Sequence, residues 1–235
     1  MVHKTYTMTA INVLIINCTL KKSPHKSNTQ LLADKVMDEY EALGASTESL
    51  RMADYEVNRG TKTDEGKGDQ WRQILAKIKA CDICVLAAPI WMGHSPSTVQ
   101  QIFERLDDVF YNEDLQDKKT GQFFAYNKVA GALVTGNEDG AHEVARHILW
   151  GMQEIGFTIP PNANSYWVGM AGGSADYGDG EGDKHYYTNK NNLYMVHNTV
   201  YLAQLLKNNP IPTNIKQLDE QAKKVSKRYM VKSKK

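Results

Sequence analysis

Hydrophobic positions divide the chain into short apolar runs that alternate with amphipathic stretches. The run INVLII, residues 11–16, is nearly continuous and rich in β-branched residues, which predicts a strand covered on both faces. A helical period follows, with Leu32 and Val36 on one face and Gly44 placed to end the helix. The chain therefore begins with a strand, a polar loop and a helix.

The same order of strand and helix recurs along the chain. The further predicted strands span residues 46–52, 82–89, 128–136 and about 165–169, and a last helix is predicted near 190–207. Strands that alternate with helices favour right-handed crossovers and a parallel sheet with helices on both faces. The sequence thus predicts one α/β domain over residues 1–235, with a C-terminal helical extension over about 208–235.

Candidate capping residues stand before three of the predicted helices. They are Asn28 or Thr29 for the first helix, Asp69 for the second, and Asn137 or Asp139 for the helix after residue 136. Side chains of this kind accept hydrogen bonds from the free N–H groups of a first helical turn.

Composition and charge narrow the class of protein without naming a partner. With 235 residues, 41% of them hydrophobic, the chain has room for one large core, and its net charge of +1 gives no reason to expect nucleic acid. No stretch approaches the roughly 18 consecutive apolar residues of a membrane span, and the N-terminus lacks an apolar signal core. We expect a cytoplasmic protein whose three cysteines, Cys18, Cys81 and Cys84, are reduced, with a buried structural role for Cys81 and Cys84.

Ligands of open parallel sheets bind outside the carboxyl ends of the strands, and the loop after the first strand is suited to an anion. This loop, TLKKSPHKSNT over residues 19–29, is rich in hydroxyl groups and runs directly into a helix N-terminus. Free N–H groups and the helix dipole favour a phosphate there. A solvated turn with a helix cap is the alternative interpretation. Neither a G-x-G-x-x-G nor a P-loop pattern is present.

Two further loops fit a planar guest. APIWMGHSPS, residues 88–97, places an indole, a thioether and a glycine at the tip of a strand, although Trp91 and Met92 taken alone are more often ordinary packing residues. TGNEDGAH, residues 135–142, has glycines that permit close backbone approach. Together the three loops would enclose a molecule with a phosphate at one end and a ring at the other, which is the shape of FMN.

The segments SNTQLLA, APIWMGHSPSTVQQIFERLD and VTGNEDGAHEV resemble the three flavin-contacting segments of flavodoxin-like proteins. The resemblance is closest to the NAD(P)H-dependent FMN reductase and quinone reductase branch and covers roughly residues 10–170. It implies a flavodoxin-like three-layer sandwich with a five-stranded sheet of order 2-1-3-4-5, noncovalent FMN, and a homodimer or tetramer. The cofactor-binding residues that it implies are Thr19, Lys21, Ser27, Asn28, Thr29, Pro89, Ile90, Trp91, Met92, Gly93, Thr135, Gly136, Asn137, Asp139 and Gly140.

The function that follows is an FMN-dependent oxidoreductase. NADH or NADPH would reduce the flavin, backbone N–H groups would stabilise the reduced anion, and a quinone, free flavin or similar small acceptor would take the electrons. No catalytic acid or base is predicted. The alternatives are a flavodoxin-type electron carrier and a flavin-sensing or interaction protein.

Two histidine motifs are weighed as chemical sites. The histidines of HEVARH are five residues apart and diverge around a helix, so no metal site is predicted. His94 adjoins the predicted ring site, but a solvated loop histidine is the favoured interpretation. The long loops 58–69, 112–122 and 169–183 receive no role beyond a possible cover over the substrate for the last of them.

Overall fold

The protein forms one parallel sheet of five strands. A computed structural model describes residues 10–173 and 175–230; the predicted domain ends at 1–9 and 231–235 lie outside the described residues. The strands pair in the order β2-β1-β3-β4-β5, which confirms the predicted fold class and strand order. They are β1 (Asn12–Asn17), β2 (Ser46–Arg51), β3 (Ile83–Pro89), β4 (Val129–Gly136) and β5 (Asn164–Val168).

Helices cover both faces of the sheet. Side chains of β1 alternate between two cores, with Leu14 and Ile16 packed on one side and Val13 and Ile15 on the other. The first core is closed by α2 (Trp71–Ala80), α3 (Ser97–Leu106) and α4 (Ala141–Glu154), and the second by α1 (Asn28–Ala42) and α5 (Tyr186–Asn208).

The C-terminal part of the chain departs modestly from its predicted bounds. Helix α5 begins at Tyr186, four residues before the predicted start at 190, and α6 (Ile215–Met230) lies within the predicted extension. No helix of the described residues is long and apolar enough to cross a membrane.

Two of the three predicted helix caps are wrong, because the named side chains have another partner or position. Ser27 is the N-cap of α1, and its hydroxyl accepts a hydrogen bond from the Gln30 N–H. Helix α2 follows Gln70, but Asp69 Oδ1 accepts a hydrogen bond from the Trp71 N–H at 3.3 Å, so the predicted capping bond of Asp69 is present. Both carboxylate oxygens of Asp69 also bind a buried arginine. Helix α4 follows Gly140 with a φ of 121°.

A buried ion pair holds the 58–69 loop. The Arg105 Nη2 lies 2.6 Å from Asp69 Oδ2, and the two side chains are 0% and 1% exposed. The same guanidinium donates to the carbonyl oxygens of Asn58 and Lys62 at 2.8 and 2.9 Å. This loop is therefore anchored through charge-assisted hydrogen bonds to α3.

All three cysteines are free and buried, which confirms the burial predicted for Cys81 and Cys84. Burial raises the pKa of the Cys18 thiol, and contact with Cys81 together with burial raises that of Cys84. The C-x-x-C spacing thus places two solvent-shielded thiols at the entry to β3.

Candidate flavin-binding site

A cavity of about 230 Å³ opens at the carboxyl ends of β1, β3, β4 and β5. It joins the start of α1 to the loop after β3, so it brings together the three loops that the sequence singles out. Its lining includes Thr19, Lys21, Ser27, Asn28, Thr29, Pro89, Ile90, Trp91, Thr135, Gly136 and Asn137. Four predicted residues, Met92, Gly93, Asp139 and Gly140, do not line it.

One end of the cavity is rich in hydrogen-bond donors. Asn17 Nδ2 donates a hydrogen bond to the hydroxyl of Ser27, the N-cap of α1, at 3.3 Å. Among the described residues, no hydrogen bond uses the N–H groups of Asn28 or Thr29 in the first turn. These free N–H groups lie at the positive end of the helix dipole, and such an arrangement favours a phosphate group.

The lysines of the loop after β1 differ in whether an acidic side chain already pairs with them. Lys22 pairs with Glu56 and Lys26 with Asp179. Lys21 lines the cavity and forms no ion pair within the described part of the chain. Of the lysines in this loop, Lys21 is therefore the one whose charge remains for an anionic ligand.

The other end of the cavity is apolar and partly open. Ile90 is buried beside it, whereas Trp91 is 51% exposed and Met92 87% exposed. The Trp91 backbone forms both hydrogen bonds of a short bridge with His94, at 2.8 and 2.9 Å. Trp91 and Met92 are thus surface residues on a fixed hairpin, and the alternative that they are core packing residues is wrong.

Glycines bring the loops after β3 and β4 into contact. A Cβ atom on Gly136 would lie 2.7 Å from Ile90 Cδ1, and one on Gly140 would lie 2.5 Å from the Gly93 carbonyl oxygen. Both distances are too short for real atoms, so only glycine permits this approach. Gly93, Asp139 and Gly140 therefore shape the hairpin from behind the cavity.

The carboxylate of Glu138 accepts hydrogen bonds from the N–H groups of Met92 and Gly93, at 3.1 and 3.2 Å. Glu138 also lines the cavity. In this arrangement these two backbone N–H groups of the hairpin already have an acceptor.

Five lining residues were missed by the sequence interpretation. They are Leu20, Glu138, Trp167, Asp176 and Tyr177. Glu138 stands inside the quoted TGNEDGAH motif, and the last three follow or end β5, where the position of the strand end was the available signal. The Trp167 and Tyr177 rings meet edge to face at 5.7 Å, and burial raises the pKa of Tyr177 to about 12.

His94 lies beside a separate cleft on the far side of the hairpin and does not line the flavin cavity. In that cleft Ser95 Oγ lies 2.5 Å from His147 Nδ1, and burial lowers the pKa of His147. Within the described ranges, no cluster of histidine, cysteine and carboxylate side chains is arranged to hold a metal ion.

Residues 11–171 match the NADPH-dependent FMN reductase family. The chain belongs to this family. It is therefore a member of a family of flavin oxidoreductases with a flavodoxin-like fold, and the resemblance drawn from the three loop motifs is confirmed.

Two relatives and one solved structure extend the comparison. The chain is 39% identical to an 8-demethyl-8-aminoriboflavin-5'-phosphate synthase of Streptomyces davaonensis, over 92% of this chain and 86% of that protein. It is 34% identical to a divalent metal cation transporter MntH of Mycobacterium bovis, over 84% of this chain but 29% of that protein. The crystal structure of RosB with bound 8-demethyl-8-formylriboflavin-5'-phosphate is 39% identical, with a TM-score of 0.84 over 92% of this chain and 88% of that one.

Proposed function

We propose that the chain binds FMN noncovalently in the cavity, with the phosphate at the start of α1 and the isoalloxazine ring beside Trp91. The observation that carries this proposal is one continuous cavity that joins the free N–H groups of Asn28 and Thr29 to an aromatic side chain. Lys21 and the hydroxyl of Thr19 would hold the phosphate with those N–H groups.

The open end of the cavity accounts for access by a second reactant. Trp91 is half exposed, so a ring seated beside it would have one edge within reach of solvent. An electron donor or acceptor can approach a flavin at such an edge without entering the protein core. The residues of this chain would bind and orient the flavin, and none is assigned as a catalytic acid or base.

The reaction that we propose is electron transfer from NADH or NADPH to a small acceptor such as a quinone or free flavin. When bound, FMN would supply the acceptance and release of the hydride. Support for the donor comes from the family, whose members are described as NADPH-dependent FMN reductases. A homodimer or tetramer, a cytoplasmic location and the identity of the acceptor stay predictions.

A second candidate function makes the flavin the substrate. The match to the aminoriboflavin phosphate synthase covers 92% of the chain, whereas the family match ends at residue 171. The similarity to the synthase therefore extends into the part of the chain that supplies Asp176 and Tyr177 to the cavity. Under this candidate the chain would modify the 8-methyl group of bound FMN.

Three measurements on the purified protein separate these functions. Flavin absorbance tests binding, and a protein that neither contains nor binds FMN contradicts both functions. Anaerobic bleaching by NADH or NADPH, followed by reoxidation with a quinone, is expected for the reductase. A flavin that binds but is reduced by neither nucleotide contradicts the reductase and leaves the ring-modifying enzyme and the electron carrier. Mass spectrometry of FMN recovered after incubation with oxygen and an amine donor tests modification of the ring.

A further inference from the structure

We propose that the Asp176–Gly180 segment is a gate over the phosphate end of the cavity, which opens each time a flavin enters or leaves. This inference rests on the proposed FMN site. The segment follows β5, supplies Asp176 and Tyr177 to the cavity lining, and lies against the first turn of α1. A ligand phosphate held at that turn would thus be enclosed by the segment.

Two exposed contacts tie the segment to α1 and the loop before it. Lys26 Nζ lies 2.6 Å from Asp179 Oδ1, and these side chains are 58% and 65% exposed. The Gly178 N–H donates to Asn28 Oδ1 at 3.0 Å. An ion pair this exposed shifts an equilibrium by a factor of at most about five, because water and salt compete for both charges. These two contacts therefore hold the segment against α1 only weakly.

The inner side of the segment is held by the ring of Tyr177. Tyr177 is 2% exposed and packs edge to face on Trp167, yet its buried hydroxyl has no hydrogen-bond partner among the described residues. An unpartnered buried hydroxyl destabilises the closed position, since water would bind it in the open one. Opening therefore breaks no hydrogen bond of this side chain and gains hydration.

Glycines allow the segment both to close tightly and to move. A Cβ atom on Gly178 would lie 2.6 Å from Leu31 Cδ1, and one on Gly182 would lie 2.2 Å from Tyr177 Cδ2. The closed position therefore requires glycine at position 182, whereas a Cβ atom at position 178 would displace only the exposed end of Leu31. The same residues have the widest backbone freedom, so they can act as hinges when the ring withdraws.

The gate connects the structure to the choice between the two candidate functions. A resident cofactor needs no exchange, whereas a flavin that is consumed must enter and leave in every turnover. The strength of the Lys26–Asp179 contact would then set the rate at which flavin exchanges.

The test measures the association and dissociation rates of FMN with the 235-residue chain by flavin fluorescence. Asp179→Asn is compared with Glu181→Gln, which breaks the equally short and exposed Lys184–Glu181 pair that does not reach α1. Because both variants lose one negative charge, the comparison isolates the contact to α1. We expect Asp179→Asn to raise both rates about two- to five-fold and Glu181→Gln to leave them near those of the parent.

The direction of the two rates decides between a gate and simple charge repulsion. A gate speeds association and dissociation together, whereas loss of repulsion between Asp179 and a phosphate speeds association and slows dissociation. Opposite changes, or no change, would overturn the gate while leaving FMN binding intact. Failure of the unaltered protein to bind FMN would overturn the proposed function and the gate together.

Two further variants should lower the exchange rates, one below those of the parent and the other below those of Asp179→Asn. Tyr177→Phe removes the unpartnered hydroxyl, so the closed position is stabilised and both rates should fall. Exchange of the two charges, Lys26→Asp with Asp179→Lys, restores the contact and should return the rates toward those of the parent. Rates that stay as high in this double variant as in Asp179→Asn would show that the contact between residues 26 and 179 does not hold the gate closed.

Discussion

The hydroxyl oxygens of Thr29 and Thr135 lie 2.8 Å apart and join the start of α1 to the end of β4. The two side chains are 2% and 3% exposed and both line the cavity. One hydroxyl hydrogen is used within the pair, so the second remains available to a ligand oxygen. This pair therefore fixes the distance between two of the three loops and offers a donor at the proposed phosphate position.

Thr29→Val should weaken FMN binding by about 1–3 kcal/mol, the range for a hydrogen bond to a charged group. Riboflavin lacks the phosphate, and its affinity should change much less. Isothermal titration with both flavins measures the difference. Thr199→Val is the control, since Thr199 is a buried threonine bonded to the Tyr40 hydroxyl and does not line the cavity. Equal losses for FMN and riboflavin would remove Thr29 from the phosphate site.

Trp91→Ala should alter the flavin absorbance spectrum and turnover while changing the free energy of unfolding by less than about 1 kcal/mol. The reason is that Trp91 is half exposed, so little apolar contact is lost from the core. Trp71→Ala is the matched control: Trp71 is fully buried, and its removal should cost about 3–5 kcal/mol. A melting temperature that falls equally in both variants would contradict a ring-contacting role for Trp91.

Asp69→Ala should destabilise the fold by about 3–5 kcal/mol, because it leaves the buried charge of Arg105 without its partner. Urea unfolding measures this change. Asp64→Ala breaks the exposed ion pair with Arg72 and should cost less than about 1 kcal/mol. Similar costs for the two substitutions would show that the Arg105 charge finds another partner.

The Asp69 pair also predicts the response to acid. Hydrogen bonds from Arg105 hold the pKa of Asp69 well below its usual 3.8. A depressed pKa contributes stability that is present above the unfolded value and is lost as the pH falls below it. The difference in unfolding free energy between the parent and Asp69→Ala should therefore shrink below about pH 4.

Glu39 predicts the opposite dependence on pH. Burial raises the pKa of Glu39 to about 7, and its Oε2 has no hydrogen-bond partner among the described residues. A carboxyl group with a raised pKa contributes to the stability of the fold most fully when the pH is below its unfolded pKa of 4.5. This contribution is lost as the pH rises through 7.

Glu39→Gln should consequently become more stable than the parent above pH 7. Since the side chain is only half buried, we expect about 1 kcal/mol rather than the full value of the shift. Chemical unfolding at pH 5 and pH 8 measures the change, and Asp38→Asn removes a neighbouring exposed carboxylate as a control. A parent whose stability rises over this range relative to Glu39→Gln would contradict the raised pKa.

The fold was largely predictable because its signals are local. Continuous apolar runs marked β1, β3 and β4, and the helical period marked the faces of α1 and α3. Helix caps were harder, since Asp69 accepts a hydrogen bond from the Trp71 N–H but its main partner is Arg105, which lies 36 residues away in sequence. A long-range charge partner cannot be found from the composition of one turn.

The site was predictable as far as its loops follow strand ends. Residues such as Thr29, Trp91 and Thr135 line the cavity at the carboxyl ends of the strands, where open parallel sheets generally bind their ligands. Asp176 and Tyr177 could not be placed in the same way, because they lie in a glycine-rich loop without a periodic pattern. Their position depends on packing against Trp167 and α1, which only the folded chain reveals.

The burial of Cys18, Cys81 and Cys84 has a practical consequence for following this protein in solution. Thiols buried in a folded core are inert toward maleimides and methanethiosulfonates in the native state. A cysteine introduced at the exposed position of Glu181 would then be the site at which a spin label or fluorophore attaches, with no prior removal of native thiols. Distances between such a probe and bound flavin, measured in single molecules, would report how often the phosphate end of the cavity is uncovered.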